Sequence, residues 1–331
     1  MKKQQQQIET IIIAMDNGKM NIKSKSGEKE VVQLNRVSNG NIDTLNTDVY
    51  NVLYRDRKYH IGSIGGKKYI KEGKCTELNK ITTLSTITKF IEAEKMVNII
   101  LGYGESVNMY NNPAHKKAIE ELLLGRHEIM VDNDGQGLKL YKFNIQLVHV
   151  LPEGLGHILS NMEEHQGIEY VVDIGGSTVN FIKCFRCLPI KEESKSPNIG
   201  MYNLNSRIRK NLSDNGMFLD DLQTQEYIDL LGKDGKITSK YQEIFEETIY
   251  EQLDELDNRL AEDEVNIRDL IEHHPVTFSG GSSETLKKYI LTQYSLPNGK
   301  KPDILEDALL ANVRGIYEFM VKKYGHLVEM E

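Results

Sequence analysis

The chain contains one short pattern twice, and a duplication of this kind restricts the fold more than any single motif does. Each copy is a β-branched run that ends in Asp-x-Gly, followed by a turn and a second extended segment; the copies lie at residues 10–23 and 169–183. Both continue into a third extended segment, at residues 31–34 and 187–190. The repeat predicts a duplicated fold with two strand meanders, each of which carries an acidic, glycine-containing first turn.

The two turns have the residue types that bind phosphate. Glycine lets the backbone come close to a ligand, and successive N–H groups and hydroxyls form a nest for an anion. A carboxylate beside an anion requires a cation between them, and Mg²⁺ with its bound waters is the usual choice. We therefore predict that Asp16 and Asp173 hold Mg²⁺ through water. An ordinary hairpin turn is the alternative for either copy taken alone.

Composition limits the class of protein. The 331 residues suffice for two domains, and 39% hydrophobic with 27% charged residues is typical of a soluble globular chain. No apolar run approaches the roughly 20 residues of a membrane span. With no signal-like segment and three cysteines, the chain is expected to be cytoplasmic, with no membrane partner. The net charge of −8 argues against direct DNA binding, so a DNA partner would be reached through an adaptor.

Two of the cysteines, Cys184 and Cys187, form a Cys-x-x-Cys sequence. It is typical of half a zinc site or of a redox pair, but no second Cys or His pair stands at a matching distance. Positions three apart on a strand also point to opposite faces. We therefore favour structural roles for both cysteines.

Further stretches have patterns that suit a phosphate site. Glu153 follows a valine-rich strand and opens a short helix, where it either complements the helix dipole or orients the water that attacks a γ-phosphate. Gly280 and Gly281 connect a strand to a helix, which lets backbone pass close to a flat ring or an α-phosphate. Helical patterns cover residues 81–94 and 306–324, and small residues in the second suit either a hinge or close packing.

The order and spacing of these stretches resemble the superfamily of actin, sugar kinases and heat-shock-chaperone ATPases. Within it, the chain is most similar to plasmid-segregating bacterial actins of the ParM type. Residues 16–18 with 21–23 look like the first phosphate loop of that family, and 173–178 look like its second. Glu153 matches the catalytic glutamate, and Gly280-Gly281 matches the adenosine loop.

This resemblance implies specific site residues. Lys19 and Met20 depart from the small Ser or Thr residues usual in the first loop, although backbone contacts are still expected there. The implied catalytic residues are Glu153 and Asp173. The implied nucleotide-binding residues are Asp16, Asn17, Gly18, Lys19, Met20, Asn21, Lys23, Gly175, Gly176, Ser177, Thr178, Gly280, Gly281 and Ser282.

The resemblance also implies the architecture. It is an α/β fold of duplicated actin/ribonuclease-H-like domains, with mixed sheets flanked by helices and a nucleotide cleft between the domains. Domain I would comprise residues 1–160 and 306–331, with a small insertion at about 38–80. Domain II would comprise residues 161–305, with a helical insertion at about 206–272.

The implied function is an ATPase, with GTP as an alternative nucleotide, that uses Mg²⁺ and assembles into filaments when nucleotide is bound. Such filaments segregate plasmid DNA through a centromere-binding adaptor protein. A small-molecule, sugar-type kinase of the same superfamily is the main alternative, although residues 60–150 contain no convincing Asp-bearing acceptor loop. A chaperone-like ATPase and a nucleotide-binding scaffold without turnover are further alternatives.

Overall fold

A computed structural model describes residues 8–39, 49–62, 67–68, 74–233 and 235–329. The predicted insertion at about 38–80 therefore lies partly outside the described residues. The chain divides into two compact units, which are treated separately below. Unit 1 comprises residues 1–105, 109–160 and 313–331, and unit 2 comprises 106–108 and 161–312.

Unit 1 is built on a mixed sheet, to which the described residues contribute ten strands in the order β3-β2-β1-β8-β10-β9-β5-β6-β4-β7. The strands are β1 (Thr10–Asn17), β2 (Asn21–Ser26), β3 (Lys29–Leu34), β4 (Arg36–Asn39), β5 (Tyr50–Tyr54), β6 (Arg57–Ile61), β7 (Lys67–Lys68), β8 (Met96–Glu105), β9 (Gly125–Asp132) and β10 (Lys139–Pro152). The helices that begin in this part of the chain are α1 (Glu77–Ile87), α2 (Val107–Tyr110), α3 (Pro113–Leu123) and α4 (Gly156–Ser160).

Three central strands of this sheet determine where polar groups gather. Strands β1 and β10 both pair parallel with β8, so the three strands end at the same edge of the sheet. Their apolar residues are buried, as expected for parallel strands covered on both faces. Asp16, Glu105 and Glu153 stand at or just after the ends of these strands. The topology thus brings three acidic residues, distant in sequence, to one edge.

Unit 2 contains a smaller mixed sheet, in which five strands are described in the order β13-β12-β11-β14-β15. The strands are β11 (Ile168–Ile174), β12 (Val179–Phe185), β13 (Leu188–Pro189), β14 (Val276–Ser279) and β15 (Asp303–Ile304). The helices are α5 (Met201–Asp214), α6 (Asp221–Gly232), α7 (Ser239–Ala261), α8 (Ile267–His273), α9 (Gly281–Thr285), α10 (Lys287–Tyr294) and α11 (Ala308–Glu329), and α11 continues into unit 1 from Val313. No helix in the described part of the chain has the length and apolar character needed to cross a membrane.

Both predicted meanders are present, with one difference in the second. Strands β1, β2 and β3 form the first meander, and β11, β12 and β13 form the second. The third extended segment, predicted at residues 187–190, is limited to Leu188–Pro189. Arg186 and Cys187 have φ values of 50° and 65°, so they form the tight turn before this strand. The prediction of mixed sheets in a duplicated α/β fold is confirmed.

Candidate functional site

In unit 1, Asp16 ends β1 as a buried carboxylate and is paired with a lysine. Strands β1 and β2 are antiparallel with Asp16 opposite Lys23, so the two side chains are cross-strand neighbours. The Lys23 Nζ lies 2.9 Å from Asp16 Oδ2. Lys23, which the resemblance implies as a nucleotide-binding residue, thus forms a charge-assisted contact with the carboxylate of its own turn.

Glu153, the predicted catalytic residue, is buried beside Asp16 and contacts a lysine that sequence reasoning missed. The ammonium group of Lys74 donates one hydrogen bond to Glu153 Oε1 and another to the carbonyl oxygen of Gly104, which lies 2.7 Å away. The Glu153 N–H donates to the carbonyl of Glu105 at 2.8 Å, which fixes the backbone at the end of β10. Asp16, Glu153, Lys23 and Lys74 thus form one buried charged cluster.

The surroundings separate the proton affinities of the two carboxylates. Burial opposes ionisation of Asp16, but the charges of Lys23 and Lys74 outweigh it, so the pKa of Asp16 is lower than usual. Burial raises the pKa of Glu153 to about 8; Asp16 and Glu105 add to this, and Lys74 opposes it. Burial lowers the pKa of Lys74, but the carboxylates of Glu153 and Glu105 outweigh that effect and raise it overall. The cluster can therefore keep Asp16 and Lys74 charged while Glu153 exchanges a proton.

The rest of the first turn is held by helix α1. The Asn17 Nδ2 donates to the hydroxyls of Thr82 and Thr83, at 3.2 and 3.0 Å. Asn35 Nδ2 donates in turn to Asn17 Oδ1 at 2.9 Å. These contacts give Asn17 a role in anchoring the turn. The other predicted residues of this loop follow Asn17 directly: Gly18, Lys19, Met20 and Asn21.

In unit 2, Asp173 lies near the end of β11 and both of its carboxylate oxygens accept hydrogen bonds. Ser279 Oγ and Asn180 Nδ2 donate to it at 2.9 and 3.1 Å, and Asn312 Nδ2 lies 3.4 Å from Oδ1. Ser279 is opposite Asp173 in the parallel pairing of β11 with β14, and Asn180 is opposite it on β12. The sheet register therefore orients this carboxylate, and sequence reasoning identified none of the three donors.

The second predicted turn is fixed by the N-terminus of α5. The N–H groups of residues 200, 201 and 202 donate to the carbonyls of Ser177, Gly175 and Gly176, at 3.1, 3.1 and 2.7 Å. The turn also closes on itself, because the Gly175 N–H donates to the Thr178 carbonyl at 2.9 Å. Donors at a helix start normally lack partners within the helix, and here the turn supplies them. The backbone of residues 175–178 is therefore held in one conformation.

Gly280 brings the predicted adenosine loop against Asp173. Its φ of 84° lies in the region that favours glycine. A Cβ atom at this position would be 2.6 Å from the Ile174 carbonyl oxygen and 2.8 Å from Asp173 Oδ1. A residue with a side chain is therefore excluded here for two reasons. Gly281 and Ser282 follow as the first residues of α9.

The oxygen donors suit Mg²⁺ held through water. Mg²⁺ prefers carboxylate oxygens and usually keeps several waters, with one or two carboxylates and the phosphates of a substrate completing its shell. Asp16 and Asp173 each offer a buried carboxylate fixed by neighbouring donors. Within the described ranges, no group of three His, Cys, Asp or Glu side chains could hold a metal on its own. Asp16 and Asp173 therefore each suit water-mediated ligation better than a closed protein cage.

The Cys184 and Cys187 thiols are buried in unit 2 and have structural surroundings. The Cys187 Sγ donates to the carbonyls of Met162 and His165, at 3.3 and 3.1 Å. Burial raises the pKa of Cys184 to about 12, which suppresses the thiolate. These surroundings favour the structural interpretation of the pair.

Comparison with known proteins identifies the fold of the chain. Residues 14–156 match the family model described as "Actin like proteins N terminal domain". No curated protein matches the chain. Three similar solved structures are a 15-stranded ParM filament from Clostridium botulinum, an Alp12 filament, and the archaeal actin homolog Ta0583 in complex with ADP. Their sequence identities are 17%, 20% and 16%, and their TM-scores are 0.71, 0.69 and 0.71.

The match extends over nearly the whole of each molecule. These structures cover 95%, 96% and 95% of this chain, which in turn covers 100%, 99% and 99% of theirs. The chain therefore has the actin-like fold. Residues 14–156 match the model of the actin-like N-terminal domain, and the resemblance to actin-like proteins drawn from the motifs is confirmed.

Proposed function

We propose that the chain is a nucleotide-dependent, filament-forming actin-like ATPase that segregates plasmid DNA through an adaptor protein. The observation that carries the proposal is the largely buried cluster of Asp16, Glu153, Lys23 and Lys74 at the end of the unit 1 sheet. In open α/β sheets, ligands bind beyond the carboxyl ends of the strands, where this cluster lies. Its charges match the needs of phosphoryl transfer, which depends on positioning and on stabilisation of charge.

Each proposed group has a distinct role in hydrolysis. Asp16 and Asp173 would hold Mg²⁺ through water, and a bound ion would supply charge neutralisation for the polyphosphate. The backbone of residues 16–23 and 175–178 binds the phosphates, and residues 280–282 lie along the adenosine. Glu153 orients the attacking water and accepts its proton, and its contact with the Lys74 ammonium group holds the carboxylate in place for this role. ATP and GTP are both compatible with these contacts.

We propose the same domain boundaries as the sequence indicated. Domain I takes in residues 1–160 and 306–331 with its insertion at about 38–80, and domain II takes in 161–305 with its helical insertion at about 206–272. The proposed location is the cytoplasm.

Self-association and an adaptor are the proposed protein contacts. Two of the similar structures are filaments, and their fold is shared along almost the full chain. The net charge of −8 favours a basic, centromere-binding adaptor as the link to DNA over direct contact. No membrane partner is proposed.

Sedimentation with and without nucleotide tests the proposal and separates it from the kinase alternative. The purified chain is expected to pellet after ATP and Mg²⁺ are added, and to stay in the supernatant without nucleotide or with EDTA. Phosphate release measured in the same samples should follow assembly. A chain that consumes ATP but never pellets would contradict the filament proposal and favour a small-molecule kinase.

A further inference from the structure

Lys74 occupies a position that none of the predicted motifs includes. It precedes helix α1, and its side chain is only 11% exposed. Its charge interacts with three buried carboxylates of unit 1, those of Asp16, Glu105 and Glu153. Removing an ammonium group from water costs free energy unless the charge is paired. The three carboxylates therefore stabilise Lys74 in its charged form.

The lysine is fixed at both its backbone and its ammonium group. Asn79 Nδ2 donates to the Lys74 carbonyl and to the Tyr103 hydroxyl, both at 2.7 Å. The Lys74 Nζ bonds to Glu153 Oε1 and to the Gly104 carbonyl, and it lies 5.5 Å from the centre of the Tyr103 ring. A long side chain that is held at several points has lost most of its rotamer freedom, which suits a positioning role.

Helix α1 connects this lysine to the first phosphate turn. Thr76 caps the helix by accepting from the Asn79 N–H at 3.2 Å, two residues after Lys74. Further along the same helix, Thr82 and Thr83 accept the hydrogen bonds from Asn17. One rigid element therefore holds both the residue that contacts Glu153 and the turn that carries Asp16.

We infer that Lys74 is a positioning residue for nucleotide hydrolysis, which orients Glu153 toward the attacking water. The inference rests on the proposed function. In this step the water oxygen bonds to the γ-phosphorus, the bond to the leaving diphosphate breaks, and the water proton passes to the Glu153 carboxylate. Lys74 keeps its own proton throughout and fixes one carboxylate oxygen of Glu153.

A double-mutant cycle between Lys74→Met and Glu153→Gln tests this inference. Single-turnover hydrolysis is measured at saturating Mg²⁺-ATP, and ATP affinity is measured separately. Lys25→Met is the matched control, because Lys25 is also a largely buried lysine paired with a glutamate, Glu30, at 3.0 Å. The control is expected to hydrolyse ATP at the wild-type rate.

Lys74→Met is expected to slow hydrolysis by about 10- to 100-fold and to change ATP affinity by less than about threefold. In the Glu153→Gln background, the same substitution should change the rate by less than about threefold, because Lys74 acts through Glu153. Lys74→Arg keeps the charge and is expected to be faster than Lys74→Met. Substitution of a lysine with a purely structural role would slow hydrolysis equally in the wild-type and Glu153→Gln backgrounds.

Equal slowing by Lys74→Met in both backgrounds, or no slowing in the wild type, would overturn the inference. If Lys74→Met does not fold, the same cycle is measured with Lys74→Gln, which removes the charge but keeps a polar side chain, and the same outcomes support or overturn the inference. The proposed function fails separately, if the wild-type chain does not hydrolyse nucleotide or if Glu153→Gln has no effect.

Discussion

At the scale of residues, two acids at the ends of β1 and β10, the strands on either side of β8, are placed in opposite electrostatic conditions. Asp16 is stabilised as an anion by Lys23 and Lys74, whereas burial raises the pKa of Glu153 to about 8. Environments that separate the pKa values of paired acids are a mark of acid–base chemistry. These environments support the proposed roles, in which Asp16 associates with the metal and Glu153 accepts a proton.

A pH prediction concerns His149 on β10, whose Nδ1 lies 2.7 Å from the Tyr324 hydroxyl on α11. Burial lowers the pKa of His149 to about 4, and Lys323 and Lys116 contribute. The folded chain thus binds this proton less readily than the unfolded chain, whose histidine has a pKa near 6.5. The stability due to this group is complete above pH 6.5 and is lost as pH falls toward 4.

Urea unfolding of wild type and His149→Gln at pH 7 and pH 4.5 measures this contribution. Between these pH values, the wild type should lose about 1–2 kcal/mol more stability than the variant, a value reduced because the ring is partly exposed. The difference between the two proteins cancels the titration of other groups. Equal losses would show that His149 does not carry this pH dependence.

The sequence predicted those candidate site residues that belong to a short, recognisable sequence motif. A carboxylate at the end of a β-branched run, followed by glycine, identified Asp16 and Asp173. Lys74 had no such pattern, because it lies in a polar stretch 79 residues from Glu153 and only the fold brings the two together. The donors to Asp173 were missed for the same reason, since Ser279 and Asn312 are 106 and 139 residues away from it.

At the scale of elements, helix α11 packs so closely against α4 that the backbone of Gly315 lies next to the backbone of Gly156. A Cβ atom on Gly315 would lie 1.8 Å from the Gly156 carbonyl oxygen, and backbone there cannot move aside as a flexible side chain could. Small residues in this helix were predicted to serve either a hinge or close packing. The contact at Gly315 is one of close packing within unit 1.

We predict that Gly315→Ala lowers the free energy of unfolding by about 2–3 kcal/mol, because the added methyl group forces the two helices apart. Gly325→Ala is the control in the same helix, where a Cβ atom would meet only Val321 at 3.7 Å. That change should leave stability unchanged or raise it by about 0.5–1 kcal/mol, through helix propensity. Thermal unfolding of both variants gives the comparison, and equal effects would contradict the packing account.

The boundaries of helices and strands were harder to predict where buried positions carry polar side chains or where exposed polar residues interrupt the apolar pattern. The helix expected at 81–94 runs instead over Glu77–Ile87, since its buried face carries hydroxyls such as Thr82 and Thr83 that do not produce an apolar period. Strand β9 (Gly125–Asp132) was not predicted, although His127, Ile129 and Val131 alternate inward. Its polar outer residues weakened the strand signal.

At the scale of the whole molecule, the order of the motifs carried the prediction. The repeat predicted a duplicated fold, and the resemblance of the motif order to actin-like proteins implied the α/β architecture. Assembly depends on surface geometry, which short patterns do not encode. A contact between two different surfaces of identical chains produces an open filament unless the rotation closes a ring.

The central proposal is that Asp16 and Asp173 both contribute to the binding of Mg²⁺-nucleotide, and equilibrium binding of ATP tests it most directly. Titration calorimetry is performed on wild type, Asp16→Asn, Asp173→Asn and the double variant, with Mg²⁺ and with EDTA. With Mg²⁺, each single variant should bind at least about tenfold more weakly, and the double variant should lose less than the product of the two effects. With EDTA, the variants should bind no more weakly than wild type, because a carboxylate repels the polyphosphate. Wild-type affinity for Mg²⁺-ATP in either single variant would contradict the account.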